Sequence, residues 1–332
     1  MKNVLCCFLV ISLVFAGCTD DKERDSVGNS ALLKSPPFLA ITDSIREFPD
    51  NPRHYLARAL LLSQNNLHDA ATPDYQKAWE LSKDEAIALE YASNLQLVNK
   101  TTEAIEFIKA RQQDFPNNQE FGRRLSEVYA ATGKRKEALE EYDKLILSDS
   151  LNFMAWYERG VLLARLRDTT EAIISLEKSY AIQPINYTGL ALAQIYSMQQ
   201  NPRLLTICDD ILHRDSTGEV IDALFIKGTY YADTKEYTKA LPIFEECIKL
   251  DWKFLDAHLE KGHAYFAQKD FKKALEAFKM AATVSNTDPD AYYWMARSFE
   301  ADGDKVQAKE NYERTLSLDP RFEEARQRLK VL

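Results

Sequence analysis

One pattern is written three times between residues 221 and 322, at a fixed spacing of 34. Gly228, Gly262 and Ala296 stand 34 residues apart, as do Tyr231, Tyr265 and Phe299, then Ala240, Ala274 and Ala308, then Phe244, Phe278 and Tyr312. A strict period of roughly 20 to 50 residues marks a stacked array of short structural units. Each such unit buries its apolar faces only against its neighbours, so the chain is committed to a linear array with capped ends. The period also runs backward, through Ala104, Ala138 and Ala172, through Ser126 and Gly160, and through Tyr142 and Leu176 at the bulky position. Trp156 lies four residues before Gly160.

The residues between the repeated ones favour helix. Only 10 of 332 residues are Gly and 11 are Pro, while Ala, Leu, Glu and Lys are abundant. The hydrophobic fraction of 45% is enough for a large core. A formal net charge of −9 argues against a nucleic-acid partner, which would be held by phosphate neutralisation.

The pattern resembles the tetratricopeptide repeat: a bulky residue early in helix A, a small one four later, an aromatic three beyond, then a small, an aromatic and a small residue in helix B. Tyr292, Ala296, Phe299, Ala308, Tyr312 and Pro320 fit it, and Gly133 and Gly303 fall at the turn between helices. The resemblance implies an all-α fold, a right-handed superhelical solenoid of about eight helix-turn-helix repeats. They begin near residues 52, 85, 119, 153, 186, 221, 255 and 289, filling 52–322. The first carries Pro73 in its second helix, and in the fifth Leu205 and Asp209 stand where a small and an aromatic residue are expected. Asn51–Pro52, Asp288–Pro289 and Asp319–Pro320 each offer an N-cap followed by proline at the first helical position. Gly160, Gly228, Gly262, Ala296, Ala240, Ala274 and Ala308 are packing residues, where helices A and B approach too closely for larger side chains. Phe38, Ile41, Ile45 and Phe48 form the stripe of an N-terminal capping helix within 38–51, and Phe322, Ala325, Leu329 and Leu332 that of a C-terminal cap over 323–332.

The N-terminus reads as an address. A short positive start precedes the 13-residue apolar run Val4–Ala16, which suits a signal-peptide core better than a membrane span. It ends in Phe15–Ala16–Gly17–Cys18, which resembles the lipobox of bacterial lipoproteins. That resemblance implies a signal peptide over 1–17, acylation of Cys18 and a flexible linker to residue 37. An ordinary signal peptide or an uncleaved anchor helix are the other readings. Thr19 follows the cysteine, so the Asp that retains enterobacterial lipoproteins at the inner membrane is absent there. The run Asp20–Asp21–Lys22–Glu23 resembles the export tag of surface-exposed Bacteroidetes lipoproteins. The expected location is the bacterial outer membrane, facing the periplasm or the exterior.

Catalytic constellations are not found. HExxH, GxSxG and GxGxxG are missing, Gly133–Lys134 lacks the rest of a phosphate loop, and His258 and His263 are five apart, a poor spacing for metal ligands on one helix face. Neither metal nor cofactor is expected, and the chain is read as noncatalytic. Cys208 and Cys247 read as small buried hydrophobes, or as a disulfide between neighbouring repeats. Tetratricopeptide repeats usually bind extended peptides along the concave surface of their A helices. Counting from each repeat start places Arg123, Glu127, Tyr157, Arg165, Tyr187, Gln194, Phe225, His263, Phe266, Tyr293 and Arg297 on that surface. The Lys and Asn clamp of chaperone-binding members is replaced by Leu56 and Leu60, by Leu89 and Ser93, and by Arg123 and Glu127. The expected function is a scaffold or adaptor that holds a protein or peptide at the envelope. The alternative is a glycan-binding lipoprotein in nutrient uptake or wall maintenance, its groove aromatics stacked on sugar rings.

Overall fold

The computed structural model describes residues 31–214 and 221–332, and every regular element among them is a helix. Residues 1–30, which carry the leader, Cys6, Cys7 and Cys18, lie outside the described residues. After α1 (Leu39–Glu47) come eight helix pairs: α2/α3 (Pro52–Gln64, His68–Ser82), α4/α5 (Glu85–Leu97, Thr101–Asp114), α6/α7 (Gln119–Ala131, Arg135–Ser148) and α8/α9 (Phe153–Arg165, Thr169–Ile182). The series continues with α10/α11 (Asn186–Met198, Arg203–Arg214), α12/α13 (Ile221–Asp233, Tyr237–Leu250), α14/α15 (Leu255–Ala267, Phe271–Val284) and α16/α17 (Pro289–Ala301, Lys305–Leu318), and ends at α18 (Glu323–Val331). Two compact units divide between Glu141 and Tyr142, inside α7. Among the described residues no helix is long and apolar enough to cross a membrane.

One backbone device recurs in every pair. The second residue after each first helix is left-handed: Asn66, Asn99, Gly133, Arg167, Gln200, Lys235, Lys269 and Gly303, with φ between +52° and +89°. The amide of the following residue then donates five residues back, as Leu67 does to Leu62, Glu236 to Tyr231 and Asp304 to Phe299, at 2.7–2.9 Å. This is the Schellman closure, which satisfies a carbonyl the helix end leaves open. Only two of the eight positions are glycine.

Packing explains the small residues. The eighth residue of each first helix is buried, from Ala59 through Ser126, Gly160, Gly228 and Gly262 to Ala296. A Cβ at Gly262 would lie 2.4 Å from Phe278, one at Gly228 2.8 Å from Phe244, and one at Gly160 2.7 Å from Leu176. The alanines Ala240, Ala274 and Ala308 of the second helices are fully buried.

The fifth pair departs from the expectation. Elsewhere the buried alanine and the bulky residue of the second helix fall five and nine residues after the left-handed turn residue. In α11 the fully buried residues are Leu204 and Cys208, four and eight after Gln200, and Ile211, whereas Leu205 is half-buried and Asp209 exposed. The helix has slipped by one residue, a rotation of about 100°, so Leu205 and Asp209 are not its packing residues. A leucine in the alanine slot and a cysteine in the aromatic slot exchange bulk between two neighbouring positions.

The ends differ from expectation in three details. Phe38 and Ile45 are buried against the first pair, but Phe48 is 52% exposed, because α1 ends at Glu47 and the ring lies edge-on to His54 outside the stripe. Leu32 and Leu33, assigned to the linker, pack against the core of Phe38, Ala59 and Tyr75. Asp319–Pro320 begins no helix; Asp319 caps the turn into α18 by accepting from the Arg321 amide. At the C-terminus Phe322, Leu329 and Leu332 cover Tyr293, Tyr312 and Ala325. A buried bidentate ion pair fastens the N-terminal end: Arg58 donates to both Asp74 oxygens at 2.6 and 2.7 Å, and to Thr42 Oγ1 of α1.

Candidate functional site

The first helix of each pair carries the candidate residues, and several of these helices are capped by Asn or Asp. Asn51, Asp84, Asn118, Asn152 and Asp288 accept from first-turn amides, which fixes the start and therefore which residues share a face.

In the first unit, Arg123 and Glu127 are engaged with each other. Arg123 also pairs with Glu120 at 2.6 Å, and Arg124 with Glu120 at 2.9 Å. Hydrogen bonding from Arg123 holds the Glu120 carboxyl below the usual carboxylate range, against the opposing effect of burial. These side chains complete a local ion-pair network, so neither candidate offers an unspent charge.

In the second unit, α8 and α10 bring Tyr157 and Tyr187 together edge to face at 4.6 Å, with Tyr187 38% exposed. Burial of the hydroxyl, then the neighbouring Tyr157 and Glu158, raises the Tyr187 phenol pKa. Arg165 and Gln194 are exposed. Further along, Phe225 packs on Phe254 at 4.9 Å, and His263 and Phe266 both meet Trp294, at 4.7 and 5.3 Å. Arg297 lies 5.6–6.0 Å from the rings of Phe266, Trp294 and Tyr293.

Tyr293 corrects the expectation. It is 7% exposed, enclosed with Tyr312 and Phe322 in the terminal core, and its hydroxyl accepts from Arg297 at 3.2 Å. Trp294, overlooked in the sequence, is the aromatic that meets His263, Phe266 and Arg297. Its signal was an aromatic where the corresponding residues of α8 and α14 are Glu158 and Glu260. A second overlooked feature is acidic: Asp222, Asp256, Asp290 and Glu324 follow one another every 34 residues. Burial, then Asp288, with Glu324 adding to it, raises the Asp290 pKa, and burial with Glu260 raises that of Asp233.

Among the described residues no group of three or more His, Cys, Asp or Glu is placed to hold a metal ion. Cys208 and Cys247 are free and buried rather than joined, and burial pushes both thiols up to about 12, leaving little nucleophilic thiolate.

Helix pairs of this length, each closed by one recurrent turn, define a helical-repeat protein. Profiles of the tetratricopeptide repeat match residues 123–186, 221–251, 262–303 and 290–321. Over those stretches the chain is therefore similar to the tetratricopeptide repeat. No curated protein matches it. Among solved structures, the C-terminal part of a TPR repeat-containing protein from Cytophaga hutchinsonii is 20% identical with a TM-score of 0.58, covering 71% of this chain and 97% of that one. PilW, a widely conserved type IV pilus biogenesis factor, is 18% identical with a TM-score of 0.55, covering 64% and 98%. At such identities the likeness is one of fold.

Proposed function

We propose that this protein is a noncatalytic adaptor, anchored in the envelope by an acylated Cys18, whose first-helix face receives a protein or peptide. The observation that carries the binding role is the Tyr157–Tyr187 pair, with exposed Arg165 and Gln194 about two turns further along the same helices. A solenoid does not need an aromatic pair that reaches the surface in order to fold, whereas Tyr and Arg dominate the energetics of interfaces. The anchor rests on the sequence at Phe15–Cys18, where several acyl chains at about 0.8 kcal/mol per buried CH₂ make a stable membrane attachment. An outer-membrane position follows from the residues after Cys18.

Incorporating a photo-crosslinking residue at Gln194, with Lys279 as a control, tests the adaptor in source membranes. A discrete protein adduct at Gln194 that disappears with Tyr157→Ala and Tyr187→Ala is expected. Binding of soluble glycans in place of any protein adduct would instead favour the glycan-binding alternative. For the anchor, Cys18→Ser should abolish acyl labelling and release the chain from the membrane fraction; unchanged processing and association would overturn it.

A further inference from the structure

A cavity of about 280 Å³ opens in the first unit between α2 and α4, lined by Leu60, Ser63, Tyr75, Glu90, Asn94 and Leu97 among others. Two of its groups are chemically unfinished. The first is Asn94, 98% buried (2% exposed). Its Nδ2 donates to Thr72 Oγ1 at 2.7 Å, while Thr72 gives its own hydroxyl proton to the His68 carbonyl at 3.1 Å. Thr72 therefore has only a lone pair left for Asn94, which fixes the amide with nitrogen toward Thr72. The Asn94 Oδ1 is left as a buried acceptor with no donor. Native interiors rarely tolerate such an atom.

The second is Glu90, exposed at the opening and without an ion pair among the described residues. Its charge reaches the cavity: the Tyr75 phenol pKa is raised, first by burial and also by Glu90. Arg124 donates to Ser93 on the rim and is paired with Glu120 at 2.9 Å. The apolar walls are Leu60 and Leu97, 37% and 61% exposed.

We infer that this cavity receives a lysine or arginine side chain of a partner peptide, the aliphatic stem on Leu60 and Leu97, the charged head between Glu90 and the acceptor of Asn94. Long basic side chains bury their stems along apolar surface and keep the head among acceptors. An acidic side chain meets Glu90 with like charge, and an apolar one leaves Asn94 Oδ1 unsatisfied. The inference rests on the adaptor reading but concerns the first unit, away from Tyr157 and Tyr187.

The test uses the full chain and fluorescein-labelled peptides Gly-Ser-Gly-Leu-X-Leu-Gly-Ser-Gly, with X as lysine, arginine, norleucine or glutamate, followed by anisotropy. Lysine and arginine peptides should bind about fivefold more tightly than the others, the scale of one partly exposed ion pair. Glu90→Gln should erase that preference and Leu97→Glu should enlarge it; both residues are exposed, and circular dichroism checks that the variants fold. No preference for a cation, or a preference that survives Glu90→Gln, overturns the assignment. A preference that follows Tyr187→Ala instead leaves the adaptor reading intact and removes this cavity from it. Absence of binding by every peptide counts against both.

Discussion

Gly262→Ala sets two opposing effects against each other, and the structure decides the sign. Alanine is favoured over glycine within a helix by about 1 kcal/mol. Against that, the new Cβ would meet Phe278 at 2.4 Å from Cε1 and 2.7 Å from Cδ1 and Cζ, where carbon atoms normally rest about 3.5–4.0 Å apart. Phe278 is fully buried and cannot swing away. Overpacking of this kind costs about 1–3 kcal/mol. A clash of more than 1 Å along a ring edge belongs at the upper end, so a net loss of about 2 kcal/mol is expected in urea unfolding. Phe278→Leu in the Gly262→Ala background removes the obstructing ring edge, so the combined loss should be smaller than the sum of the two single losses. Gly303→Ala is the control. Nothing lies within 4 Å of its Cβ, and its cost comes from a φ of +89°, so it should add to Phe278→Leu without coupling. A Gly262→Ala variant as stable as the parent, or losses that simply add, would refute the packing argument.

The left-handed turns make the opposite prediction. Lys235→Gly and Lys269→Gly relieve φ values of +65° and +63°, and each should raise stability by about 0.5–1 kcal/mol after the entropy glycine gains when unfolded. Arg58→Ala strands the buried Asp74 carboxylate and should cost about 3–5 kcal/mol, more than a paired Arg58→Met/Asp74→Leu replacement, as read from thermal unfolding. For Asp233, the folded-state pKa is raised, so the folded protein holds the proton more tightly than the unfolded chain does. Stability therefore falls as pH rises from the unfolded pKa, about 4, through the folded one. Asp233→Asn should be more stable than the parent at pH 7, and the difference should vanish below about pH 4.

The helical array was legible because packing writes it into the sequence. Only a small residue fits where Gly228 faces Phe244, and that demand recurs with every unit. Six of the eight turn residues were not legible, because Asn, Arg, Gln and Lys occupy them and only Gly133 and Gly303 advertise a positive φ. The slip in α11 was hidden because leucine and cysteine are unremarkable in any helix. On the first-helix face, counting identifies positions and says nothing of their engagement. Arg123 and Glu127 neutralise each other, and Tyr293 is drawn into the core by Phe322, a residue beyond its own helix pair. Asn94 gave no signal at all, since its significance depends on which way Thr72 points its proton.

The slip in α11 also changes how variation there must be interpreted. Numbering by the 34-residue period is a reading frame, and α11 is out of phase with it. A charge introduced at Leu205 meets a half-buried site, whereas the same charge one residue earlier, at Leu204, enters the fully buried core. In-frame logic ranks these two lesions in the wrong order. For residues 203–214, then, tolerance to substitution follows the register of the helix itself, marked by Leu204 and Cys208, and not the count from Gln200 that serves in the other repeats.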